Sequence, residues 1–367
     1  MNDLISRVLE MAIDIQQIPA PTFHEMERAR FVQARFAEED LTDIKVDGIG
    51  NVYARLAGSE TGKALVVCAH LDTVFPVSID LHHERELERI LAPGIGDNSL
   101  GVAGLFGLVW AQRGRQLSLP GDLWLVANVC EEGLGDLRGI RAVVDHFGNN
   151  PLAYIIIEGM ALGQIYHRGL GVRRYRITTH TSGGHSWIDY GKPSAVHELT
   201  SLSTRITALE LPRSPRSSLN IGIISGGSSV NTIAAEGMIE LDLRSESAKT
   251  LEVLATQVAQ IVHAAEKPGV SVNMEIIGER PSGQISPEHS LVKLAQDCLR
   301  KVGIEPHLGI GSTDANLPLS RNLPAVTIGL TTGGGAHTIH EYINLAPLEK
   351  GMEQAIELIS RSWESIQ

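Results

Sequence analysis

The chain has 367 residues, 43% hydrophobic and only 4% aromatic, with 31 basic against 43 acidic side chains and a formal charge of -12. That balance argues against nucleic acid or an anionic membrane as partner, and so few aromatics offer no stacking platform for bases. No apolar run approaches the length of a membrane span, no strand-Gly-x-Gly-x-x-Gly-helix unit marks a nucleotide site, and the length exceeds what one core serves, so two domains are expected.

At the N-terminus, Leu4, Ile5, Val8, Leu9, Ala12 and Ile13 recur at helical spacing among charges, which predicts an amphipathic helix and not a signal peptide. Ala64 to Asp72 (ALVVCAHLD) is an apolar, β-branched run that stops on His70. A neutral imidazole binds a divalent ion well when its second ring nitrogen donates to a carboxylate, and Asp72 is placed to be that partner. The glycine-rich loop Pro93 to Gly101 (PGIGDNSLG) presents Asp97 before an apolar helix, Leu100 to Trp110; a helix cap would explain this aspartate equally well. Asp122 to Cys130 (DLWLVANVC) ends in the adjacent acids Glu131 and Glu132, which need a cation or protons unless they are solvated loop acids. Leu152 to Ile157 (LAYIII) ends in Glu158 and Gly159, and the turn Gly333 to Tyr342 (GGGAHTIHEY) carries His337 and His340.

In open α/β sheets, ligands bind beyond the carboxyl ends of the strands, so three apolar runs ending in His, Asp or Glu point to one crevice. Between about Gly171 and Arg280 the α/β rhythm breaks. Strand-like runs at Arg173 to Thr179, Leu219 to Ile224 and Gly237 to Arg244 alternate with helical stretches at Ala195 to Leu209 and Thr250 to Glu266, the pattern of an inserted α+β domain. The expected division is a discontinuous domain over 1–170 and 286–367, with the insert at 171–285.

These motifs together resemble the di-zinc metallopeptidases that include carboxypeptidase G, tripeptidase, aminoacylase, acetylornithine deacetylase and succinyl-diaminopimelate desuccinylase. The resemblance spans nearly the whole chain: IPAPTFHE, HLDTV, GDNSLG, EEG, IEG, SGGHS, GSTDAN and GGGAHTIHEY occur in order. It implies an α/β fold, a mixed-sheet catalytic domain with helices on both faces, and a ferredoxin-like insert serving as dimerisation and lid domain.

Carried over by position, the resemblance makes His70 and Glu158 ligands of one zinc, Glu132 and His337 ligands of a second, and Asp97 the bridge between them. Glu131 would stay off the metals as general base while Asp72 orients His70. His337 is preferred over His340 because the family's last ligand lies four residues before a glutamate, here Glu341. Asn98 departs from the family, which often has a second acid there. In the insert, His185 would reach the partner subunit's active site to stabilise the oxyanion, and Asn231 would contact substrate. Arg280 would clamp a substrate carboxylate, a role suited to its planar fork, although a surface arginine in a hinge is the plain alternative. Thr313 would line the pocket, with Asp314 either beside it or holding the turn through its own backbone.

Oxygen and imidazole donors without thiolate suit two Zn(2+) per subunit, with Co or Mn as substitutes. Such a pair lowers the pKa of a bridging water toward neutrality, giving hydroxide that attacks an amide carbonyl while Glu131 moves the proton. The expected enzyme is a hydrolase of a small peptide or N-acyl amino acid, acting as a homodimer through the insert. A biosynthetic N-acyl deacylase and a silent metal-binding scaffold are the rivals, and retention of Glu131 argues against the scaffold. Cys68, Cys130 and Cys298 are odd in number with no paired spacing, which fits free thiols in a reducing, cytoplasmic compartment.

Overall fold

The apolar runs that end in His70, Asn128 and Glu158 need cover on both faces, and the chain supplies it by making them neighbours at the centre of one sheet. In the computed structural model, which describes residues 2–59 and 62–366, Gly62–His70 pairs in parallel with Gly121–Asn128 on one side and with Ala153–Glu158 on the other. Ala325–Gly329 continues the parallel set beside Ala153–Glu158. Val52–Leu56 and Thr42–Val46 add antiparallel strands at one side, and Gln164–Gly169 with His307–Gly311 and Gly283–Gln284 completes a mixed, nine-stranded sheet at the other.

Alternation along the central strand divides its side chains between two cores. Leu65, Val67 and Ala69 pack with helices Asn2–Gln16, Leu100–Arg115, Ser290–Lys301 and Leu348–Ser365. Val66 and Cys68 face the opposite way, toward helices Arg138–Phe147 and Asn316–Ser320. The fold is therefore α/β with helices on both faces. Helix Leu100–Arg115 is buried along its first twelve residues, and its glycines permit that: a Cβ on Gly104 would stand 2.5 Å from a Leu330 methyl, and one on Gly107 2.6 Å from the Met352 methyl.

The chain separates into two compact units, one reaching to Gly169 and resuming at Gly283, the other spanning Leu170–Ser282. The second runs strand, helix, strand, strand, helix, strand, the ferredoxin-like order. Its four antiparallel strands lie in the spatial order Ser217–Gly226, Glu236–Ser245, Gly171–Thr181, Val270–Arg280. Leu199, Leu202 and Ile206 of helix Ala195–Thr207, with Leu251 and Val258 of helix Ala248–His263, cover Tyr175, Ile177, Ile239, Leu241 and Leu243 on one face of that sheet. Among the described residues no helix is long and apolar enough to cross a membrane.

Candidate metal centre

Because the three central strands run in parallel, their carboxyl ends meet at one edge of the large sheet. His70 and Glu158 are the last residues of their strands, while the third strand stops at Asn128 and turns through Cys130, at φ 57°, into Glu131 and Glu132. Asp97 comes from the loop ahead of Leu100–Arg115, and His337, at φ 64°, from the glycine-rich turn near the C-terminus. His70 Nε2 lies 3.2 Å from Asp97 Oδ1 and 3.7 Å from Glu158 Oε2. His337 Nε2 lies 3.1 Å from Asp97 Oδ2 and 3.1 Å from Glu132 Oε1. Asp97 thus offers one oxygen to each of two groups, His70 with Glu158 and His337 with Glu132. Glu131, 5% exposed, gathers with His70 and Glu132 but belongs to neither group that shares Asp97.

Backbone contacts orient these side chains. His70 Nδ1 sits 3.0 Å from the carbonyl oxygen of Asp72, and a carbonyl only accepts, so Nδ1 carries a proton in either charge state. Nε2 is the nitrogen that faces Asp97 and Glu158, donating to them when the ring is charged and offering a lone pair to a metal when it is neutral. The Asp72 carboxylate is farther from the ring, at 3.6 Å, and accepts the backbone N–H groups of Glu131 and Glu132 at 2.9 Å each. Asp72 therefore fixes His70 through its main chain and the Glu131–Glu132 pair through its side chain.

Two residues to which the sequence assigned no structural task also shape the site. Glu341, wholly buried, accepts the N–H groups of Gly96 (2.7 Å), Asp97 (2.8 Å) and Gly94 (3.0 Å), which holds the loop that carries Asp97. Gly94 is needed there: it sits at φ 73°, and a Cβ would come within 2.9 Å of Thr73 Cγ2. Asn98 donates to Ile157 O at 2.7 Å and accepts from Gly159 N at 2.9 Å, bracketing Glu158 between two bonds. Their partners lie 59 to 247 residues away in sequence, so no local pattern signals them.

The electrostatics of this cluster favour a cation. Burial opposes the charged form of His70, but Asp72, Asp97 and Glu158 outweigh it and hold the imidazole well above its ordinary pKa. Asp97 and Glu132 push His337 up to about 10. Burial would raise Asp97, yet His337 and His70 bring it below the usual carboxylate range, whereas Glu158 is raised by burial and by nearby Asp97 and Glu132. Among the described residues no lysine or arginine pairs with Asp97, Glu132 or Glu158. A crowded set of carboxylates and imidazoles with no thiolate and no fixed counter-charge fits a pair of divalent ions bound through oxygen and nitrogen.

Two of the remaining sequence-derived candidates, Thr313 and Asp314, lie in the first unit just before helix Asn316–Ser320, with Asp314 near enough to His70, Asp72 and Glu158 to feel their charges. Thr313 shares a hydrogen bond with Thr327 at 2.8 Å and accepts from Ala315 N, while Asn316 accepts from Thr313 N. Asp314 is wholly buried and accepts from Asn128 Nδ2 at 2.7 Å instead of bonding its own turn. In the second unit, exposed His185 pairs across a short ribbon with Thr232, next to Asn231, whose carbonyl accepts from Ser186 N at 3.0 Å. Arg280 ends the Val270–Arg280 strand and is buried.

The family model described as peptidase family M20/M25/M40 matches residues 66–361, a span that holds His70, Asp97, Glu131, Glu132, Glu158 and His337. The chain belongs to that family. This M20 chain is accordingly a hydrolase acting on peptide bonds. It is 23% identical to the Bacillus subtilis (strain 168) protein YqjE over 374 residues, covering 97% of this chain and 98% of that one. A tripeptidase from Staphylococcus aureus subsp. aureus Mu50 superposes with a TM-score of 0.82 at 20% identity, covering 98% of the M20 chain and 99% of its own. Bacillus subtilis YxeP, described as a dinuclear metal-binding peptidase of the M20 family, superposes with a TM-score of 0.71 at 18% identity over the full length of both chains. At such identities the likeness to these structures is one of fold.

Proposed function

We propose that the protein is a zinc-dependent peptidase or amidohydrolase that cleaves the amide bond of a small peptide or N-acyl amino acid, with Glu131 as general base. The observation that carries this is Asp97, whose two oxygens face two imidazoles, each accompanied by a further carboxylate. His70, Asp97 and Glu158 would hold one ion, and Asp97, Glu132 and His337 the other, with Co or Mn as substitutes. Two bound divalent ions supply polarisation of the scissile carbonyl and acidification of the attacking water.

The chain's own part is proton handling. Glu131, buried beside the proposed ligands but outside both Asp97 groups, takes a proton from the attacking water. It passes that proton to the departing amine as the C–N bond breaks, leaving a carboxylate and an amine. In the insert, His185 Nδ1 accepts the N–H groups of Trp187 (3.2 Å) and Ile188 (3.4 Å), so a neutral ring carries its proton on Nε2, free to donate to an oxyanion. We assign His185 to the active site of the partner subunit in a homodimer formed through residues 171–285. Asn231, Arg280 and Thr313 are assigned to substrate, Arg280 to its carboxylate, and the compartment is taken as cytoplasmic from three buried free thiols.

The test is turnover by zinc- or cobalt-loaded protein on a panel of dipeptides, tripeptides and N-acyl amino acids, with loss on chelation and recovery on reloading. No turnover on any member, with metal verified as bound, would favour a binding scaffold. Mixing Glu131→Ala with His185→Ala protein is expected to restore partial activity through hybrid dimers; no recovery despite subunit exchange would refute the shared site.

A further inference from the structure

The proposed chemistry leaves no task for the segment Ile18 to Arg28, although IPAPTFHE stands among the motifs of the chain. Glu25 occupies the N-cap position of helix Met26–Glu38, a place that favours the shorter Ser, Thr, Asp and Asn, and it makes no side-chain cap bond. Its carboxylate, 5% exposed, turns instead to a strand end 105 residues on. Glu25 Oε1 accepts the N–H of Phe23 at 3.0 Å and of Cys130 at 3.1 Å, with the Cys130 thiol at 3.5 Å.

Both backbone donors belong to residues in the left-handed region, Phe23 at φ 76° and Cys130 at φ 57°. Side-chain-bearing residues avoid that region and stay in it only where surrounding bonds determine the backbone. Cys130 leads directly into Glu131 and Glu132, whose own N–H groups are taken by Asp72. Three consecutive amides are thus held by two buried carboxylates, Glu25 on the first and Asp72 on the next two.

Glu25 is itself anchored. Wholly buried Arg28, one turn along the same helix, donates to Leu71 O at 2.7 Å and to Ile18 O at 2.6 and 3.0 Å, so the segment is tied beside His70. Thr22 Oγ1 donates to Asp72 Oδ2 at 2.9 Å, and Thr73 N to Ala20 O at 2.9 Å. The carboxylate therefore meets Cys130 from a fixed support.

We propose that Glu25 is a positioning residue: it locks the left-handed Cys130 turn and so sets the directions in which Glu131 and Glu132 project. The inference rests on the reading of Glu131 as base and Glu132 as ligand. Without Glu25 the turn relaxes, Glu132 loses its aim toward His337, and Glu131 loses its aim toward the attacking water. The ion held with His337 is then weakened more than the one held by His70 and Glu158, and kcat falls while KM stays.

Zinc titration of the full-length chain against a competing chelator, kcat and KM, and the unfolding temperature of the metal-free protein test this together. Glu25→Ala is expected to lower affinity for one ion by roughly 10–100-fold, the usual effect of removing an outer partner of a ligand, and to reduce kcat at unchanged KM. Glu25→Asp keeps the charge but withdraws the oxygen by one methylene, so it is expected to fail similarly without opening a large cavity. Glu25→Gln keeps an acceptor at the same reach and is expected to restore the lost affinity. Wild-type affinity for both ions and wild-type kcat in Glu25→Asp would overturn the proposal. So would equal losses in all three variants that track a lowered unfolding temperature, since that marks a merely structural residue. Glu132→Ala separates the underlying reading: if it costs no ion, the ligand assignment fails whatever Glu25 does.

Discussion

In the four-stranded sheet of the second unit, Arg174 lies opposite Asp242 and Arg176 opposite Glu240, each pair closed by an ion pair at 2.9 and 2.8 Å. At the end of the nine-stranded sheet, Asp97, Glu132 and Glu158 have ion-pair partners too, but every one is an imidazole. The first arrangement is neutralised by the fold itself, through cross-strand pairs on adjacent strands. The second keeps an excess of negative charge in a buried place, which persists only if protons or cations share it. Acid content alone therefore says little about function; what distinguishes the two sheets is whether the fold supplies the counter-charge.

Substitutions sharpen that contrast. Glu131→Ala is expected to reduce turnover by about 10²–10⁴-fold, the range for a general base, while leaving metal content unchanged; loss of metal would mean that base and ligand have been exchanged. His337→Ala is expected to deplete one of the ions and His340→Ala neither, measured by elemental analysis; the reverse pattern would shift the ligand by three residues.

A pH effect of opposite sign in the two metal states comes next. In the metal-free protein, Asp97 and Glu132 raise His337 from 6.5 to about 10, so the stability it contributes is complete below pH 6.5 and is lost as pH rises toward 10. Metal ligation needs the deprotonated ring, so zinc binding strengthens as pH rises. Thermal unfolding is expected to show metal-free stability falling over that window while the increment added by zinc grows. An increment independent of pH would remove His337 from the ligand set. The smallest effect belongs to the self-neutralised sheet: Arg174→Ala is expected to cost no more than about 1 kcal/mol, as partly exposed ion pairs do, with no change in metal content.

Strand ends are legible in the sequence because an uninterrupted apolar run has no place except between covered faces, so the polar residue that stops it marks the sheet's edge. The run in Ala64 to Asp72 reads as a strand that stops on His70, and the ladder ends at that residue. Beyond it, Thr73 N leaves the ladder and bonds Ala20 O. Asp122 to Cys130, by contrast, reads as a strand to Cys130 and the ladder stops at Asn128, because Val129 N turns to Asn51 Oδ1 at 3.0 Å and Cys130 N to Glu25. Those partners come from distant segments, which no local periodicity reveals. The same holds for Glu341 and Asn98, whose types are unremarkable and whose importance arises only when Gly94, Asp97 and Glu158 are brought to them. Charged residues at strand ends declare themselves through the pattern they interrupt; the backbone donors that aim them do not.

The shared carboxylate is the most direct place to test the whole account. Asp97 faces both imidazoles, whereas Glu158 and His337 each serve one group. Elemental analysis of zinc-loaded, desalted protein is expected to find two ions per wild-type chain, one in Glu158→Ala or His337→Ala, and neither retained in Asp97→Ala. A wild-type chain that binds no metal, or an Asp97→Ala chain that keeps both ions, would contradict it.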